Sequence, residues 1–148
     1  MEAELKTLAE RYFRGVYSCD LSVIDELASE DIVVSYPIFE KILNKHSIQG
    51  RLAVRDFNAG FCKRWTDMHI TIHESIAENN QAVLIWSYRA KNIGSAIQGQ
   101  EPSNKEESWG GITLIRFNKA GKISAEIGEE SAPGPFARIK GGESDSSM

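Results

Sequence analysis

No apolar run in the sequence is longer than a few residues; Ile32-Val33-Val34 and Ala82-Val83-Leu84-Ile85-Trp86 are typical. A membrane-spanning helix needs roughly 20 apolar residues, so no membrane association is expected. The N-terminus, Met-Glu-Ala-Glu-Leu, lacks the basic start and apolar core of a secretion signal. Basic excess is missing too. Lys and Arg number 17 against 21 Asp and Glu, a formal net charge of -4. That argues against the basic face a nucleic-acid partner demands. Cysteine is scarce: Cys19 and Cys62 stand far apart, belong to no Cys-x-x-Cys pattern, and read as free thiols in a reducing, cytoplasmic compartment.

Several chemistries lack their residues. No Ser-His-Asp or Cys-His arrangement supplies a nucleophile, and Cys62 on a helix reads as core. Gly110-Gly111 lacks the spacing of a phosphate loop; on a strand it reads as a bulge or bend. Of the 3 histidines, His46 falls in an irregular segment and reads as surface. His69 and His73 would share a face on a helix. On the strand expected there, four residues span about 13 Å, whereas ligands of one zinc lie about 2 Å from it. No metal site is expected.

What remains is an ordinary globular composition of 148 residues, 41% hydrophobic and 26% charged, enough for one domain with a sizeable core. Leu5, Leu8, Ala9, Tyr12, Phe13, Val16 and Tyr17 recur at steps of three and four, which predicts an amphipathic helix. A short second helix buries Ile24, Leu27 and Ala28, with Asp20 as its cap. Ile32 to Tyr36 is β-branched and predicts a strand ended by Pro37. Residues 38 to 50 carry little periodicity. A third helix follows Gly50, with Val54, Phe57, Phe61 and Trp65 along one stripe, and Thr66-Asp67 breaks it. For Trp65 this predicts core packing.

From Met68 onward the pattern is β. Met68, Ile70, Ile72 and Ile76 alternate with His69, Thr71, His73 and Ser75. Asn79-Asn80 is a hairpin signal because Asn tolerates positive φ. Strands are expected over 81–93, 106–117 and 123–130, with a loop at 94–105. Pro133-Gly134-Pro135 leaves the sheet. The tail, rich in Gly, Ser and charge, buries too little apolar surface to order itself. The expected organisation is a domain over 1–135 and a disordered tail over 136–148. Helices first and antiparallel strands afterwards make an α+β fold.

Several local patterns carry a resemblance in their order and spacing. They are Leu8-Ala9-Glu10-Arg11-Tyr12-Phe13, Asp31-Ile32-Val33-Val34, Gly50 ahead of Phe57, His69-Ile70-Thr71-Ile72-His73-Glu74, Ala82-Val83 through Trp86, Ile112 to Phe117, and Gly121-Lys122-Ile123. Over residues 5 to 132 the chain resembles the SnoaL-like polyketide-cyclase family of the nuclear-transport-factor-two-like superfamily. The resemblance implies a cone-shaped curved antiparallel sheet wrapped around a hydrophobic pocket, with three helices in the N-terminal half. It also implies no organic cofactor, a homodimer, and a small apolar or aromatic partner molecule. Members include aldol cyclases; relatives include steroid isomerases, epoxide hydrolases and dehydratases, and some only bind or scaffold.

The sequence departs from the family at its acid/base positions. The cyclase Asp position is Gly128, and a family His position is Leu114. The Thr-His-x-Gly pattern appears as Lys91-Asn92-Ile93-Gly94, and the steroid-isomerase base position is Tyr36. Glu126 shares strand parity with Gly128. A carboxyl in an apolar cavity has its pKa raised and can act as a general acid or base. Glu126 and Tyr36 are therefore the candidate catalytic residues, and Tyr12, Trp86, Tyr88, Asn92 and Trp109 the candidate ligand-binding set. The alternative for Glu126 is a rim carboxylate paired with Lys or Arg, Arg89 for example. Glu129 and Glu130 read as a solvated strand end. On the outer face of the sheet, Ile85, Ile115 and Phe117 are expected to offer apolar surface to a second copy. Two functions follow: a cofactor-independent acid/base enzyme acting on a small ring compound, or a ligand-binding or interaction domain without catalysis.

Overall fold

The computed structural model describes residues 2–139. The chain runs α1 (Glu2–Tyr17), α2 (Ser22–Leu27), β1 (Ala28–Ser35), α3 (Ile38–Leu43), β2 (Ile48–Gln49), α4 (Arg51–Arg64), β3 (Trp65–Glu78), β4 (Gln81–Asn92), β5 (Glu106–Phe117), β6 (Ile123–Ser131) and α5 (Pro135–Ile139). The strands form one curved sheet in the order β2-β1-β6-β5-β4-β3. All neighbours are antiparallel except β1 and β6. The α+β cone is therefore observed. Among the described residues no helix is long and apolar enough to cross a membrane.

The α1 stripe behaves as its periodicity predicts: Ala9, Tyr12, Phe13 and Val16 are buried against the sheet. Asp20 does not cap α2. Leu21 stands at the cap position without a side-chain bond, and Asp20 instead accepts from Ser22 Oγ at 2.5 Å. Strand β1 begins earlier than its β-branched core, at Ala28. The weakly periodic segment 38–50 holds α3 and the short β2. Trp65 leaves the helix stripe altogether: its backbone is extended (φ -133°, ψ 144°) and it opens β3.

Two irregularities bend β3 against β4. One spans Thr66 to His69, where Asp67 takes φ 54°. The other lies between Ile72 and Glu74. An extra residue in one strand reverses the inside–outside alternation beyond it. Ile76 is consequently exposed, while Ser75 turns inward and its Oγ donates to Glu10 of α1 at 2.7 Å. The single alternation expected over 68–76 fails there for that reason. Gly110-Gly111, by contrast, introduces no bulge; β4 and β5 pair without interruption through both.

The register fixes the two faces of the sheet. Trp86, Gly111 and Glu130 form one inner rung, Leu84, Thr113 and Gly128 the next, and Ala82, Ile115, Glu126 and Val34 a third. Ile115 and Phe117 are thus buried under the helices and offer nothing to a partner. Ile85 does face outward, near the exposed Ile112 and Ile127. Arg89 is on that outer face as well and pairs with Glu106 at 3.4 Å, so it cannot meet Glu126.

Residues 136–139 do not belong to a free tail. They lie in α5, where Ala137 is buried and the Phe136 ring stacks on His73 with centroids 4.3 Å apart. His73 Nε2 also meets Ser87 Oγ at 2.7 Å. The disorder expected of the remaining tail lies outside the described residues.

The cysteines require a correction. Cys19, just after α1, and Cys62 on α4 are joined in a disulfide, with Cα atoms 5.9 Å apart. Their separation of 43 residues along the chain gave no hint of adjacency, because it is helix packing that brings them together. The free-thiol reading fails, and with it the ground for placing the chain in a reducing compartment.

Candidate functional site

Between the helices and the inner face of the sheet lies a cavity of about 520 Å³. Its walls are aromatic: Phe13 and Tyr17 from α1, Tyr36 and Phe39 near β1, Phe57 and Phe61 from α4, and Trp65, Trp86, Tyr88 and Trp109 from the sheet. All 3 tryptophans of the chain touch it. Trp109 stacks on Tyr88 (4.9 Å, 21°) and tilts against Trp65 (4.9 Å). Such walls suit a flat, mostly apolar molecule.

Two glycines shape the sheet side of the wall. A Cβ on Gly111 would come within 2.7 Å of Trp86 Cζ2. The indole lies across the bare backbone there, and Trp86 Nε1 donates to Thr113 Oγ1 at 3.0 Å. A Cβ on Gly128 would fall 2.1 Å from Tyr36 Cε1. The Tyr36 ring therefore fills the space in which a side chain at position 128 would stand. Its hydroxyl donates to Glu126 Oε2 at 2.6 Å and lies 2.8 Å from Thr113 Oγ1. Tyr17 Oη donates to the same Glu126 oxygen at 2.7 Å. Each phenol has one proton to give. Thr113 must then donate to Tyr36, and the chain of bonds runs one way, from Trp86 through Thr113 and Tyr36 to Glu126.

Glu126 is the terminus of that network and is only 1% exposed. It is absent from the cavity wall, which Tyr17 and Tyr36 cover. Burial pushes its carboxyl up from the usual range, and the two phenol bonds pull it back. Burial first, and the field of Glu126 second, hold both phenols well above the usual tyrosine value. Glu126 is thus neither a rim carboxylate paired with a cation nor a group a ligand can reach.

Three carboxyls line the cavity, Glu101, Glu107 and Glu130; the first two are exposed, and Glu130 is the half-buried one. Two-residue alternation puts it on the same face as Glu126 and Gly128. Its carboxyl is pushed up to about 7, by burial first and then by the charges of Glu126 and Glu129. Among the described residues it has no hydrogen-bond or ion-pair partner. The reading of Glu130 as part of a solvated strand end is therefore wrong: the inward rung that ends at Trp86 and Gly111 carries it over the pocket.

The other sequence candidates divide. Trp86, Tyr88, Trp109 and Asn92 line the cavity. Tyr88 Oη is committed to the Tyr17 carbonyl at 2.5 Å. Asn92 is a clamp at the mouth: Nδ2 donates to the carbonyls of Arg64 and Gly94, and Oδ1 accepts from Ser103 N. Tyr12 is core, 1% exposed and away from the cavity, with its hydroxyl unpartnered; burial raises its pKa far beyond the usual value. Sequence reasoning missed Tyr17, Asn58, Arg64 and Thr113. Tyr17 closes the α1 stripe and Asn58 adjoins Phe57, so helical periodicity held a signal for both; for Thr113 and Arg64 it held none. Asn58 is buried, donates to Val54 O at 2.8 Å, and leaves Oδ1 unpartnered.

Comparison with known proteins agrees with this fold. AclR from Streptomyces galilaeus, provisionally named a hydroxylase, is 21% identical and has a TM-score of 0.71, over 96% of this chain and 87% of that one. A protein from Jannaschia sp. CCS1, provisionally named a SnoaL-like polyketide cyclase, has a TM-score of 0.74 at 13% identity, covering 96% and 93%. An LEH-like epoxide hydrolase from M. tuberculosis scores 0.66 at 11% identity, covering 95% and 92%. These likenesses are of fold alone. The sequence has no significant match among curated proteins. The profile of the SnoaL-like domain matches residues 9–126, and by that match over most of its length the chain belongs to the SnoaL-like domain family.

Proposed function

We propose that the protein binds a small, flat, mainly apolar ring compound in this cavity and catalyses proton transfer on it, with Glu130 as the general acid/base. One observation carries the reading: an unpartnered carboxyl half-buried on an aromatic wall, where burial pushes it up to about 7. A base works best when its pKa lies near the working pH. In its ionised form Glu130 takes a proton from a carbon beside a carbonyl. The C–H electron pair moves into the new C=C bond, charge collects on oxygen, and the protonated carboxyl returns the proton to either position. Glu126 and Tyr36 are then positioning residues. They hold the phenol and indole rings of the wall, and no organic cofactor is needed for the step.

Exchange of hydrogen for solvent deuterium at C1 of 2-tetralone tests this. The protein is expected to accelerate exchange, and Glu130→Gln to lose about a hundredfold or more of the acceleration. Full exchange by the variant would overturn the assignment. A second reading, binding without catalysis, is favoured by Gly128, where the Tyr36 ring occupies the family's acid/base position. It predicts that 2-tetralone shifts the tryptophan NMR signals while exchange stays at the buffer rate. The same proposal includes a homodimer across the outer face, where Ile76, Ile112 and Ile127 are exposed.

A further inference from the structure

Arg64 ends α4 and lines the cavity between that helix and the loop after β4. Its position is fixed from both sides. The carbonyl accepts from Ile93 N at 2.8 Å and from Asn92 Nδ2 at 3.3 Å. The guanidinium stands 5.8 Å from the ring centres of both Phe57 and Phe61, and Nε donates to Gly60 O at 3.3 Å. Both terminal NH2 groups are left without a bond to the described residues.

Among the described residues no carboxylate forms an ion pair with this guanidinium, although Glu101, Glu107 and Glu130 line the same cavity. The other arginines with ion pairs, Arg11, Arg51, Arg55 and Arg89, meet Glu26, Glu30, Asp25 and Glu106. Arg64 meets none, and burial alone moves its pKa, downward. A half-buried cation without a counter-charge is costly. Lys41, the other cation on the wall, is exposed and keeps its hydration. The planar fork of a guanidinium matches a carboxylate through two parallel bonds.

We infer that Arg64 is the anion-recognition residue of the pocket, and that the ligand is a flat, mainly apolar ring compound bearing one carboxylate, which the terminal NH2 groups of Arg64 take. This rests on the reading of the cavity as a small-molecule site and adds the charge of its ligand. The aromatic walls take the ring, and Arg64 sets its direction in the cavity.

Isothermal titration with 2-naphthoate and with its neutral counterpart 2-naphthamide, at pH 8, tests the inference. The wild-type protein is expected to prefer naphthoate by about tenfold or more, the scale of a hydrogen-bonded charge pair. Arg64→Met, which keeps the alkyl stem over Phe57 and Phe61, is expected to bring the ratio to about one; Arg64→Gln serves if that variant does not fold. Equal binding of the two probes by the wild-type protein overturns the inference and leaves the pocket reading standing. So does a preference that survives in the variants. Failure of both probes to bind overturns the pocket reading together with the inference. The wild-type comparison decides without any variant.

Discussion

Replacing Glu130 by Gln removes a charge that the fold holds at a cost. Burial, with the charges of Glu126 and Glu129, pushes the carboxyl up to about 7 in the folded chain against an ordinary 4.5. The folded state therefore binds this proton more tightly than the unfolded state does. Its contribution to stability is fully present below about pH 4.5 and is lost as pH rises through about 7. At about 1.4 kcal/mol for each factor of ten in proton affinity, the loss reaches about 3 kcal/mol. Gln keeps the shape and never ionises. Urea unfolding of both proteins from pH 5 to pH 8.5 reads the difference, and subtraction cancels every group the two share. At pH 5 the variant and wild type should have similar stability. By pH 8.5 Glu130→Gln should be the more stable by up to about 3 kcal/mol, with most of the change between about pH 5 and pH 7, where the unfolded carboxyl is ionised and the folded one still holds its proton. Parallel stability curves across that range would refute the burial of this carboxyl and the function built on it.

Glu126→Ala should destabilise the domain by about 2–4 kcal/mol, because it strands the hydroxyls of Tyr17 and Tyr36 without their acceptor. Glu126→Gln, which keeps an acceptor oxygen, should lose less, and thermal unfolding of the two variants side by side makes the comparison. Reduction of the Cys19–Cys62 bond should cost up to about 4 kcal/mol through the restored freedom of the unfolded chain. Urea midpoints unchanged by dithiothreitol would contradict that value.

Sequence patterns carried the fold further than the site. The α1 stripe and the alternating runs of β4 and β5 state their burial directly, because one face of each meets the core. The weakly periodic 38–50 segment was opaque because α3 buries little: Phe39 is its only buried residue. The bulge between Ile72 and Glu74 was invisible because nothing in Ile72-His73-Glu74 distinguishes an extra residue from simple alternation. At the site, parity placed Glu126 on the inner face but could not say how deep. Depth was set by Tyr17 and Tyr36, two rings from distant parts of the chain that close over it. Glu130 was undervalued for the converse reason. It looks like a strand end, yet the sheet curls so that this end overhangs the cavity. The disulfide was hidden because spacing along a chain carries no information about helix packing.

The fit of the Tyr36 ring against Gly128 also constrains how this pocket can change. A side chain added at position 128 first meets the ring, so that step alone lowers fitness through overpacking. Shrinking Tyr36 first opens a void and deprives Glu126 of a donor. Each change is harmful alone, and their effects are coupled because the two groups occupy one volume. An ancestor with the opposite arrangement would face the same ridge from the other side. A side chain at position 128 and the full ring at position 36 therefore exclude each other, and one can be gained only with the loss of the other.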